Sequence, residues 1–163
     1  MIRALCKKSP TDMLVYSPAG EYNLHLGIMK EMRPDMIATN QAEVIEVGGH
    51  AVLVEAAVSL GSRREKKVGI KVHRFANRIP MLFSQGSDVS YITAHKHINW
   101  KTYRMDQNQQ KIGVYVSIVS TKVPYKGANK EYIDYEAVCL RILSCVSTAR
   151  ETECTRTCSN GEH

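Results

Sequence analysis

The 163-residue sequence predicts an α+β domain: a mixed β-sheet with helices packed on one face. Three observations predict it. Two β-branched runs lie between residues 51 and 76, a strictly alternating run spans 111–120, and helical periodicity recurs before and after them. The length suits one domain with a real core and is too short for two of ordinary size.

Residues 1–16 carry mixed charge and little periodicity, so they read as an irregular lead-in. Ser17-Pro18 marks a helix start, because serine can cap free amides and proline suits the first helical position. Tyr22, Leu26 and Met29 fall on one face, Leu24, Ile28 and Met32 widen it, and Pro34 stops the helix. From Ala51 to Leu60 the run AVLVEAAVSL has Glu55 as its only charge, as a largely buried strand would. Val68 to Ala76 alternates apolar and polar residues. The two runs are expected to pair as an antiparallel hairpin, with the charged stretch from Gly61 to Lys67 as its tip. Pro80 argues for an edge or a bend.

Residues 88–98 read as helical, with Val89 and Ile92 on one side. Lys111 to Ser120 is the clearest remaining strand: Ile112, Val114, Val116 and Ile118 share one face, and Tyr115, Ser117 and Val119 the other. A loop from Thr121 to Asn129 follows, then a final helix from Lys130 to about Val146. The domain is therefore expected over 17–147, with a divergent, cysteine-rich tail at 148–163.

With 44% hydrophobic and 23% charged residues, the composition is that of a folded globular protein. No apolar run approaches the roughly 20 residues of a membrane span, and the first residues lack a secretory signal. The expectation is an intracellular protein with no membrane partner. The net charge of +6 is concentrated: residues 61–110 hold ten lysines and arginines against three acids. Such a stretch can attract nucleic-acid phosphates or simply be solvated. Cys6, Cys139, Cys145, Cys154 and Cys158 are odd in number and form no convincing disulfide framework. Cys145, Cys154, Cys158 and His163 have irregular spacing for zinc, so free thiols and no metal are expected. His95 and His97, two apart, fall on different helix faces.

No catalytic constellation stands out: phosphate-binding glycine loops, a nucleophile elbow and a zinc-protease helix are all missing from the sequence. Asp88, Asp106 and Asp134 have no obvious partner at useful spacing. Two patterns carry more. Trp100-Lys101-Thr102-Tyr103-Arg104 interleaves aromatics with cations, which suits phosphate contact with stacking; a buried Trp100 with solvated neighbours would read the same. Lys122 stands where a strand runs out into a loop, with reach toward a phosphate supplied elsewhere; an exposed loop lysine is the commoner case.

Five ordered blocks then resemble the topoisomerase VI B subunit, in its plant-type form: Ser17 to Glu21, Val54 to Gly61, Arg74 to Pro80, Trp100 to Tyr103 and Ser120 to Pro124. The Arg74-Phe75-Ala76-Asn77-Arg78 block is the most specific. The resemblance implies a transducer-type domain as in GHKL ATPases such as gyrase B and MutL. It would work in a machine of two B and two A subunits that passes one DNA duplex through another. It implies that Lys122 senses the γ-phosphate of ATP held in a neighbouring domain. It also implies that Trp100, Lys101 and Tyr103 contact double-stranded DNA in the nucleus, where the cationic pattern adds Arg104 as a candidate contact, the protein partners being a second B subunit and the A subunit. ATP and magnesium would belong to the full-length B subunit, and no cofactor to these residues. The expectation is a transducer portion cut off from its ATP-binding domain and not active alone. The alternative is a non-enzymatic module that binds the A subunit, or a full-length B subunit, as a regulator.

Overall fold

The computed structural model describes residues 18–40, 43–47, 50–82, 86, 88–120, 123, 125–126, 132–133, 139–140 and 142–147. Helix α1 spans Glu21–Met32 and buries Leu24, Ile28 and Met32, one residue per turn along a single stripe. Tyr22 and Met29, expected on the apolar face, are exposed instead. Its last turn closes where Arg33 adopts a left-handed conformation, φ 46°, and donates its N–H to the Met29 carbonyl, one residue ahead of Pro34. At the other end Gly20, with φ 83°, occupies the cap position and supplies no side chain. The capping comes from the sheet. Glu55, fully buried, accepts the Ala19 amide at 3.0 Å and the Gly20 amide at 2.8 Å through its two carboxyl oxygens.

Among the described residues eight strands follow: β1 Met36–Thr39, β2 Glu43–Val47, β3 His50–Leu60, β4 Gly69–Ala76, β5 Ile79–Pro80, β6 Lys111–Ser120, β7 Tyr125–Lys126 and β8 Tyr132–Ile133. The main sheet runs β1-β3-β6-β4-β5, with β2 also paired to β3. The expected hairpin of residues 51–76 does not form. β6 lies between β3 and β4, antiparallel to β3 and parallel to β4. The cause is legible in β6 itself: every residue from Ile112 to Ser120 is buried, which requires a strand on each edge and cover on each face. The mixed sheet of an α+β fold is thus confirmed, and β5, carrying Pro80, sits on its edge as expected.

Helices cover both faces of the sheet rather than one. Ile112, Val114, Val116 and Ile118 join Val52, Val54, Ala56 and Val58 in the main core, together with Ala94, Trp100, Ile142 and Cys145. On the opposite face Tyr115 and Ala57 pack against Leu24, Ile28 and Met32 of α1. Burying each such aliphatic side chain contributes about 1.5–3 kcal/mol. The final helix is seen at 139–140 and 142–147, beginning after β8, so residues 132–133 are strand and not the helix expected from Lys130. The lead-in and the tail beyond Ser147 lie outside the described residues.

Between β4 and β6 the chain forms α2, Val89–Ile92, which widens into a π-turn at Thr93–His97 and a 3₁₀ turn at Trp100–Tyr103. A buried ion pair fastens this excursion. Arg74 of β4 meets Asp88 at 3.0 Å, and Asp88 also caps α2 by accepting the Ser90 amide at 2.9 Å. Asp88 therefore has a partner that spacing in the sequence did not suggest. Asp106 shapes a turn by accepting the Asn108 amide at 2.9 Å, and Asp134 lies outside the described residues.

Candidate nucleic-acid interface

The Trp100–Tyr103 turn is held from below. Trp100 is 2% exposed, and its indole Nε1 donates to the Ala94 carbonyl at 2.7 Å. Met105, also buried, donates its amide to the Trp100 carbonyl at 3.1 Å. Between these anchors Lys101, Thr102 and Arg104 are exposed, while Tyr103 is half-buried against the core. Arg104 takes a left-handed conformation, φ 61°, which turns the chain out of the 3₁₀ turn. Trp100, one of the residues expected at a DNA contact, has its ring and its one polar atom engaged inside the protein. The cations beside it are the accessible charge.

Lys101 and Arg104 lead through the turn at 106–110 into Lys111, the first residue of β6. The far end of β6 is clamped. Asn77, with φ 46°, accepts the Ser120 amide at 2.9 Å through Oδ1 and donates Nδ2 to the Ser120 carbonyl at 3.0 Å. Its own amide donates to Ile118 at 2.8 Å, and Ser120 Oγ donates to the Ala51 carbonyl at 3.0 Å. Asn77 thus behaves as one more residue of the ladder and fixes where β6 ends. Lys122, two residues further in sequence, lies outside the described residues. Sequence reasoning singled out the block containing Asn77 but not this clamp, whose partners are 43 residues away.

His95 stacks on Tyr91 with ring centroids 3.9 Å apart, and among the described residues no three metal-ligating side chains converge. Cys145 is buried and donates Sγ–H to the Ala38 carbonyl at 3.3 Å, whereas Cys154, Cys158 and His163 lie outside the described residues. Among the described residues no helix is long and apolar enough to cross a membrane.

Comparison with known proteins places this arrangement. Residues 10–154 match the family model described as topoisomerase VI B subunit, transducer. The B subunit of DNA topoisomerase 6 from Arabidopsis thaliana is 61% identical over 117 residues, covering 72% of this chain and 17% of that protein. The Oryza sativa subsp. indica protein of the same name is 51% identical over 138 residues, 85% of this chain and 19% of its own length. The chain thus spans less than a fifth of these plant relatives. Among solved structures, the B-subunit of DNA gyrase from Myxococcus xanthus superimposes with a TM-score of 0.41 at 12% identity, over 75% of this chain and 36% of that one; the assignment does not rest on it. By its family match and its plant relatives, the chain belongs to the transducer family of the topoisomerase VI B subunit.

Proposed function

We propose that this domain couples ATP-driven closure of a topoisomerase VI B subunit to passage of one DNA duplex through another by the A subunit. The observation that carries the reading is β6. It is the central strand of the sheet, it begins seven residues after the exposed Arg104, and it ends at a clamped Ser120 just ahead of Lys122. At about 3.3 Å per residue, its ten residues form a stiff connection of roughly 30 Å. Movement imposed at one end is then delivered to the other as a rigid-body displacement, because a strand paired on both edges cannot slip without breaking its ladder.

In this reading Lys101 and Arg104 hold duplex phosphates, Tyr103 packs beside them, and Trp100 positions the turn. Lys122 senses the γ-phosphate of ATP and magnesium bound in another part of the complete protein, in a nuclear assembly that includes a second B subunit, with the A subunit cutting the duplex. The test is Lys122→Ala in the complete B subunit, reconstituted with the A subunit. ATP-driven relaxation of supercoiled DNA is expected to be lost while folding and ATP binding persist; wild-type relaxation overturns the coupling.

A second reading is a protein–protein module that binds the A subunit, or a full-length B subunit, without DNA. Tyr22 and Met29, two turns apart on the outer face of α1 and 76% and 40% exposed, favour it. Association with the A subunit, in a protein with no duplex affinity, would select this reading over the first.

A further inference from the structure

A concavity of about 550 Å³ lies on the α1 side of the sheet. It forms because α1 packs over β1 and β3 and ends at Met32, which leaves the starts of β4 and β6 uncovered on that face. Gly113 and Tyr115 of β6 and His73 of β4 line it. Gly113 is required there: a Cβ would come within 2.6 Å of Ser59 Oγ and 2.8 Å of the Tyr115 hydroxyl. The tyrosine ring lies flat because of it, stacked on His73 with centroids 4.8 Å apart and planes at 5°.

The rim is cationic. Arg64, Lys66, Lys67, Lys71 and Lys111 line the concavity against one acid, Glu65. Glu65 is occupied by Lys71 at 2.7 Å, and Lys111 donates to the Ser62 carbonyl at 3.3 Å. Lys66 and Lys67 are exposed and make no ion pair with the described residues. Arg64 reaches Glu31 at 2.9 Å, an exposed pair of the kind that exchanges readily for a phosphate. Arg64 also belongs to an adjoining concavity of about 330 Å³ lined by Lys30, Arg33 and Arg63 with Glu31 as its one acid, so a net positive surface continues past the end of α1.

This surface is tied to the segment that follows the Trp100 turn in sequence. The Gly69 amide donates to Gln110 and the Gly61 amide to Lys111, both at 3.0 Å, which ties the connection between β3 and β4 to the segment leading from Arg104 into β6.

We propose that the groove between the end of α1 and the starts of β4 and β6 is a second phosphate-binding surface, which takes the backbone of the same duplex that Lys101 and Arg104 contact. This inference rests on the DNA reading given above. Lys66 and Lys67 are its principal contacts, with Arg64 joining when a phosphate displaces Glu31. An open, half-walled groove with several cations at different heights fits a continuous polyanion better than a small enclosed anion, and it reads charge and shape without reading sequence.

The test is the salt dependence of binding to a fluorescent random-sequence duplex. Four forms are compared: wild type, Lys66→Gln with Lys67→Gln, Lys101→Gln with Arg104→Gln, and Lys96→Gln as the loss of an exposed charge outside the groove. Each phosphate that is no longer neutralised reduces the slope of log K against log salt by about 0.9. The groove pair is expected to flatten the slope by about two and to weaken binding at least tenfold at low salt, with an unchanged melting temperature. Lys96→Gln is expected to leave the slope as in wild type. If the groove pair binds as wild type while the Lys101 and Arg104 pair does not, the groove is refuted and the first contact surface stands. If all three variants flatten the slope in proportion to the charge removed, diffuse charge does the binding and the groove is refuted. If wild type itself does not bind, both readings fail.

Discussion

The Arg74 guanidinium and the Asp88 carboxylate meet at 3.0 Å with side chains 3% and 1% exposed. They join β4 to the first residues of the excursion that carries Trp100, Lys101 and Arg104, so the pair orients the candidate interface from beneath the surface. Removing one partner leaves a buried charge, at a cost of about 3–5 kcal/mol. Asp88→Asn is expected to lower stability by that amount in urea unfolding. Arg74→Met with Asp88→Leu is expected to recover much of the loss, since no charge then remains buried.

Glu55 fastens α1 to the sheet by accepting the Ala19 and Gly20 amides. Glu55→Ala leaves two amides without acceptors and a cavity, an expected loss of about 3 kcal/mol or more. Glu55→Gln retains one carbonyl acceptor and should lose less. Amide hydrogen exchange checks the mechanism: exchange at Ala19 and Gly20 should accelerate first, ahead of the β6 amides.

The stacked pair His73 and Tyr115 sets a pH window. Burial, then the Lys71 charge, pushes His73 below its ordinary 6.5, partly opposed by Glu65. Its Nε2 is buried without a hydrogen-bond partner, so the neutral ring is the form that fits. The stabilisation is fully present above pH 6.5 and is lost as pH falls through the folded value, because the unfolded chain takes the proton first. Burial pushes Tyr115 up from 10.0 to about 12, with Ser59 opposing and Glu65 adding. That stabilisation is present below pH 10 and is lost as pH rises toward 12. Chemical unfolding against pH should therefore show losses below pH 6.5 and above pH 10. His73→Phe is expected to flatten the acid limb and Tyr115→Phe the alkaline limb.

Much of this architecture is readable from residue patterns, because burial imposes them locally. The alternation in 111–120, the apolar run with one acid at 51–60 and the proline at position 80 each predict their element. The strand neighbours are not readable in the same way. β3 and β4 are adjacent in sequence and joined by a turn-like charged stretch, yet β6 inserts between them. The signal lay in β6, whose two apolar faces demand a central place; alternation alone does not say which strands flank it. The partners of Glu55, Arg74 and Asn77 were equally hidden, since each meets a group 14 to 43 residues distant. At the interface, the aromatic and cationic block was visible but its division of labour was not: the tryptophan faces inward and the cations outward.

That division is tested by measuring duplex affinity across a salt series for wild type, Trp100→Phe and Lys101→Ala with Arg104→Ala. The account predicts that Trp100→Phe, which loses the bond to Ala94, costs about 1–3 kcal/mol of stability and leaves the salt slope as in wild type. Removing the two cations should flatten the slope by about two and leave the melting temperature unchanged. A wild-type slope without Lys101 and Arg104 would contradict the claim that this turn is where the domain touches DNA.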